Sequence, residues 1–95
     1  MLTKKDILEI LKELILEHDY NRLGLEYSDI HLDSTLMDNL GFDSLDVTEL
    51  CAEIEDKLDI HIDDCEVENV MMKQDVEGLM NYLYDRYLNN YVQEV

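Results

Sequence analysis

With seven Lys and Arg against 24 Asp and Glu, this 95-residue chain lacks the basic excess that contact with phosphate backbones requires. Nucleic acid is therefore excluded as an ordinary ligand, and so are anionic membrane surfaces. No apolar run approaches the ~18 residues of a membrane span, and nothing at the start resembles a signal peptide. The two cysteines, Cys51 and Cys65, form no C-x-x-C pair, so free thiols in a reducing, cytoplasmic setting are expected. Proline and tryptophan are absent, phenylalanine occurs once and glycine three times. A chain this short leaves room for one domain, residues 1–95, and none for a multidomain enzyme.

What is present suffices to fold. Leu, Ile, Val and Phe supply thirty residues, about a third of the chain, above the ~20% below which acidic chains stay disordered. The net charge of −17 opposes compaction and makes a monomer the expectation. That charge is not spread evenly: residues 25–70 hold fifteen acids against Lys57 alone. Such concentration points to a partner or to solubility.

Hydrophobic spacing predicts an all-α four-helix bundle with a long first connection. A first helix is expected over about residues 4–18, because Ile7, Leu11, Leu14, Ile15 and His18 share one face. Thr3 and Asp6 stand at capping-box spacing, with Asp in place of the usual Glu. His18, near the helix end, reads as a packing or dipole-satisfying residue, since no other His or Cys lies at metal spacing from it. From Asp19 to Phe42 periodicity vanishes, leaving a long loop whose Leu25, Ile30, Leu32, Leu36 and Leu40 are expected to pin it to the core; loops of this length are usually functional.

A second helix over about 43–58 buries Val47, Leu50, Cys51, Ile54 and Leu58, with Asp46, Glu49, Glu53 and Asp56 as an acidic stripe beside them. Leu45, Thr48 and Ala52 form a third, weakly apolar and exposed strip. Ile60-His61-Ile62-Asp63 alternates but is too short to outweigh a loop. A short third helix over 64–70 follows, then a fourth over about 75–88, capped by Asp75 and carrying Val76, Leu79, Met80, Leu83, Tyr84 and Tyr87 at helical spacing, with fraying at Asn89-Asn90. The tyrosines there are expected to pack or snorkel.

Leu40-Gly41-Phe42-Asp43-Ser44-Leu45-Asp46-Val47-Thr48-Glu49-Leu50 resembles the signature of the acyl carrier protein family: a Gly, then Asp-Ser-Leu, then an acid and Glu-Leu opening an acidic second helix. The resemblance extends from the first helix through Leu58-Asp59-Ile60-His61-Ile62 to Tyr82-Leu83. It implies that Ser44, flanked by Asp43 and Leu45, receives 4′-phosphopantetheine from coenzyme A through a Mg²⁺-dependent transferase. The arm's thiol then holds acyl cargo as a thioester for fatty acid or polyketide-type enzymes. The chain itself would be no enzyme.

The physics of the position agrees. A serine in a helix's first turn keeps its hydroxyl exposed and sets a phosphodiester beside free N–H groups and the positive end of the helix dipole. Asp43 and Ser44 also have a bland reading as caps; Asp43 can cap alone and leave Ser44 free. The acidic stripe has a bland reading as a solvated face, but such a face would interleave Lys at i,i+4, and only Lys57 is available. One-signed charge around Ser44 points to docking, and the resemblance implies that Asp46, Thr48, Glu49, Ala52, Glu53 and Asp56 face partner enzymes, whose basic patches would meet the acids transiently and salt-sensitively.

The chain also departs from the family's pattern. Thr48 and Ala52 are less apolar than the family's usual partner-facing residues, the usual Ile-Pro is Ile62-Asp63, and Val70 to Val76 is longer than the family's link. Met71 and Met72 either line a cargo cavity or anchor that link. Cys51 reads as a small core hydrophobe. An aminoacyl or peptidyl cargo is the nearest alternative, and an acidic adaptor is a further one. A calcium loop fails, because registering Gly41 at the invariant glycine puts Leu36 and Val47 where carboxylates are required. No Ser-His-Asp grouping supports a hydrolase.

Overall fold

In a computed structural model that describes residues 1–19 and 24–92, helix α1 spans Lys4–Asp19. Its start is the reciprocal cap expected of Thr3 and Asp6: the Thr3 N–H donates to Asp6 Oδ2 at 2.9 Å and the Asp6 N–H to Thr3 Oγ1 at 3.2 Å. The Thr3 N–H, then its hydroxyl, holds the Asp6 carboxyl below its usual 3.8. Ile7, Leu11, Leu14 and Ile15 are buried, as their spacing requires.

Helix α2 covers Ser44–Leu58 and buries Val47, Leu50, Cys51, Ile54 and Leu58. It ends at Asp59, whose left-handed backbone (φ 54°, ψ 51°) closes the helix with an N–H bond to the Glu55 carbonyl. Past it, Ile60 and Ile62 turn into the core while His61 stays outside. The alternation therefore marks an anchored loop, tied down by the Glu55 side chain accepting from the Ile62 N–H at 3.0 Å. Among the described residues there is no strand; a lone antiparallel bridge joins Thr35 to Asp75.

The third helix differs in kind from the expected 64–70 segment. One α-turn, α3, spans Asp64–Glu66 and continues as a π-turn over Val67–Met71, where the Met72 N–H reaches the Val67 carbonyl at 3.0 Å. Val67 and Met71 are buried and Met72 is half-buried. Helix α4 runs Val76–Val92, so the fraying expected at Asn89-Asn90 is not where the helix ends. Asn90 instead donates to the Asp59 carbonyl at 2.9 Å, and Arg86 to the His61 carbonyl at 2.8 Å, which extends the useful length of the helix. Tyr87 is buried and its hydroxyl accepts from the Leu2 N–H at 2.9 Å; Tyr82 donates to Glu66. Both tyrosines pack and bond, as amphipathic side chains do.

Most of the loop between α1 and α2 is pinned as expected. Ile30, Leu36 and Leu40 are buried and Leu25 is half-buried, with a 3₁₀ turn at Tyr27–Asp29. Leu32 departs from the expectation: its side chain is 44% exposed, because its segment is held by the backbone. The carbonyls of Leu32 and Ser34 accept from the Glu77 and Val76 N–H groups at 2.9 and 2.8 Å. With Asp75 Oδ1 accepting from the Gly78 N–H at 2.8 Å, the donors that open α4 are all satisfied. Part of the loop reading, Tyr20 to Leu23, lies outside the described residues. The core fills the space enclosed by α1, α2, the π-turn and α4, with α1 packed most extensively on α4.

Candidate functional site

Gly41 sets the approach to α2. Its φ of 75° lies in the left-handed region that a side chain disfavours, and it follows a loop closed by the Phe42 N–H on the Leu36 carbonyl at 2.9 Å. Phe42 then enters the core, and the backbone emerges extended at Asp43 (φ −94°, ψ 179°), the N-cap. Asp43 Oδ1 accepts from the Asp46 N–H at 2.8 Å, and Asp46 Oδ2 accepts from the Asp43 N–H at 3.0 Å. The carbonyl of Asp43 takes the Val47 N–H at 3.0 Å. The Asp43–Asp46 pair thus forms the cap of α2 without using Ser44.

Ser44 is the first residue of α2 and is exposed. Among the described residues its hydroxyl has no hydrogen-bond partner, and the N–H groups of Ser44 and Leu45 have no protein acceptor; the Ser44 carbonyl takes the Thr48 hydroxyl at 2.9 Å. A nucleophilic oxygen stands free at the positive end of a four-turn helix, next to two unmet donors suited to an anion. Leu45 beside it is 64% exposed. Thr48 and Ala52 are also exposed, and with Leu45 they form the weakly apolar strip.

Glu49, Glu53 and Asp56 lie on the surface as an acidic stripe. Asp46 does not join them. Its carboxylate is drawn inward, leaving the residue 7% exposed, because Oδ2 serves the cap and Oδ1 lies 3.1 Å from His18 Nε2 on α1. The expectation that Asp46 stands in the exposed acidic stripe, ready to dock a partner, is corrected to that extent: the residue is buried. The signal was in the sequence: Asp43-x-x-Asp46 repeats the spacing of Thr3-x-x-Asp6. What spacing alone did not show is that α1 would place a histidine against the same carboxylate.

Between α2 and the π-turn lies a cleft of about 260 Å³ lined by Thr48, Asp64, Val67, Glu68 and Met72. Met72 therefore contributes to a cavity wall, whereas Met71 is wholly in the core. Cys51 is buried, and burial, helped by the charge of Glu55, pushes its thiol up to about 12. It is a packing residue, not a nucleophile. Among the described residues no group of three or more His, Cys, Asp or Glu is arranged to hold a metal ion, and no helix is long and apolar enough to cross a membrane.

The family profile described as a phosphopantetheine attachment site matches residues 21–83, which includes the whole Gly41–Glu53 region. The chain is 44% identical over 75 residues to a protein named acyl carrier protein from Exiguobacterium sibiricum, covering 79% of this chain and 90% of that one. It is 35% identical over 77 residues to the acyl carrier protein of Clostridium acetobutylicum, covering 81% and 91% respectively.

Proposed function

This chain belongs to the acyl carrier protein family, and from that membership we propose that Ser44 bears the family's 4′-phosphopantetheine arm and that the arm delivers acyl groups to fatty acid or polyketide-type enzymes. As a member it is a carrier rather than a catalyst, worked on by a phosphopantetheinyl transferase and by acyl-processing enzymes. The observation that supports the assignment to Ser44 is its free hydroxyl: Asp43 and Asp46 form the cap between them, so the serine is not used at the helix end.

In the transfer, Ser44 Oγ attacks the β-phosphorus of coenzyme A. The new Oγ–P bond replaces the anhydride bond, adenosine 3′,5′-bisphosphate leaves, and the serine proton passes to a base on the transferase. The chain's own part is to present the oxygen and to receive the resulting phosphodiester anion beside the Ser44 and Leu45 N–H groups. Leu45, Thr48 and Ala52 supply the apolar part of the docking strip, and Glu49, Glu53 and Asp56 meet basic patches on partners, which raises encounter rates more than it tightens the complex. The free Cys51 and Cys65 and the excess of negative charge support a monomer working in a reducing, cytoplasmic compartment.

The test is incubation of the protein with coenzyme A, Mg²⁺ and a broad-specificity transferase, read by intact mass. Wild type is expected to gain one phosphopantetheinyl group and Ser44→Ala none. An adduct that survives the substitution overturns the assignment. Loading the holo form with acyl-activating and then aminoacyl-activating enzymes reads the cargo class, with acyl transfer the expected result.

A further inference from the structure

We infer that His18, on α1 and 26 positions before the attachment serine, is a positioning residue for prosthetic-group transfer: it holds the N-terminal turn of α2 in the form that presents the Ser44 hydroxyl. The inference rests on the assignment of Ser44 as the attachment point, and it deepens that assignment by naming what fixes the site from outside its own helix.

A short chain of contacts carries it. His18 Nε2 lies 3.1 Å from Asp46 Oδ1, and the two side chains are only 9% and 10% exposed. An ionised carboxylate only accepts, so the imidazole N–H is the donor. The other oxygen of Asp46 accepts from the Asp43 N–H at 3.0 Å, and the Asp46 N–H returns to Asp43 Oδ1 at 2.8 Å. Ser44 lies inside this closed turn. The imidazole also packs against Phe42, ring centroids 5.2 Å apart and tilted by 38°, so it contacts Phe42 before the Asp43-Ser44 step and Asp46 after it. Glu53, the other acid facing the ring, is 4.0 Å from Nδ1 and half-exposed.

A capping box made of two carboxylates is a precarious cap. Asp43 and Asp46 carry the same charge, and a buried carboxylate is tolerable only with donors around it. The Asp43 N–H and the ring of His18 are two of the groups that hold it. Removing the ring takes one of its holds away from Asp46, so the hydrogen bond from the Asp43 N–H opens more often and the Ser44 oxygen is held in its direction for less of the time. A transferase that docks on the exposed acids would still bind such a turn, but would meet the oxygen in a productive orientation less often. Positioning of this kind appears in kcat, because in-line attack on phosphorus depends on the direction of approach.

The experiment compares two near-isosteric, helix-favouring replacements, His18→Met, which fills the space and donates nothing, and His18→Gln, whose amide can donate to Asp46. Steady-state transfer from coenzyme A to the apo protein is measured for each, with Ser44→Ala as the control for the site. His18→Met is expected to lower kcat about tenfold with KM for the carrier within about twofold, and His18→Gln to recover to within about threefold of wild type. In parallel, amide exchange of the Asp46 N–H should accelerate in His18→Met while the buried Leu11 and Leu83 amides keep their protection. A His18→Met protein with wild-type kcat, a loss confined to KM, or His18→Gln no better than His18→Met overturns the inference. Should His18→Met lose its helical circular dichroism, the His18→Gln exchange pattern decides: a fast Asp46 N–H in a fully folded, fully active His18→Gln protein overturns it as well. If wild type gains no group at all, the Ser44 assignment has failed instead.

Discussion

Cys51 and Cys65 are one residue type in opposite circumstances, and their chemistry should divide accordingly. Cys65 is exposed on α3 and Cys51 is sealed under α2, so a thiol-disulfide reagent is expected to titrate one thiol at once and the second only at the rate of global opening. Two fast thiols would contradict the packing. The same burial has a pH consequence. The Cys51 proton is retained until about 12 in the folded state, against 9.0 when unfolded; between those values the folded state binds more protons, so stability falls as pH rises across that window and is unaffected by this group below it. Cys51→Val should flatten part of the decline in urea midpoints. Tyr82, whose proton is held by burial and by the bond to Glu66, accounts for a further part with the same sign. At this scale the sequence was legible wherever a residue answered to its own helix: Ser44, Leu45 and the buried face of α2 stand where spacing put them. Asp46 was misread, because its position depends on His18, brought to it by tertiary packing and not by any local pattern.

Helix α4 shows how an element can be sealed from two directions. Asp75 caps it from its own sequence at the Gly78 N–H, while Leu32 and Ser34 cap it from the loop. Asp75→Ala removes only the local half and should cost about 1 kcal/mol, seen as a melting temperature lower by roughly 4–8 °C for a domain of this size; Asp75→Asn, which keeps the acceptor, should cost much less. A loss of the whole transition would show that the loop carbonyls cannot hold the helix start without it. Helices α1, α2 and α4 were readable because each repeats its apolar residues over several turns. The π-turn over Val67–Met71 was not: nothing in Val-Glu-Asn-Val-Met distinguishes bonding at i−5 from bonding at i−4, and the choice is made where Val67 and Met71 pack into the core. The exposed Leu32 was equally unreadable, since it is the carbonyl of that residue, not its side chain, that is used.

For the whole molecule, salt should act in two opposite directions. Raising ionic strength from about 0.1 to about 1 M shortens the screening length from ~10 to ~3 Å. Self-repulsion at −17 is relieved, so the melting temperature should rise, while the docking proposed for Glu49, Glu53 and Asp56 should weaken and KM for the transferase climb several-fold. A melting temperature that falls, or a KM indifferent to salt, would contradict the reading of the charge. The concentration of acid around Ser44 was visible in the sequence as a count; which acids face outward was not, because that needs the position of α1.

The seating of residues 32 and 34 on the start of α4 also orders events in time. The caps of α1 and α2 close over three residues and can form as soon as those residues exist. The start of α4 waits for carbonyls more than forty residues upstream, and bringing such distant positions together costs roughly 3 kcal/mol of chain entropy before any bond repays it. Completion of α4 therefore belongs among the late, non-local steps of folding, which slow a helical chain relative to one built from neighbouring contacts. The turn that presents Ser44 is encoded locally and early, and the scaffold that steadies it is assembled afterwards.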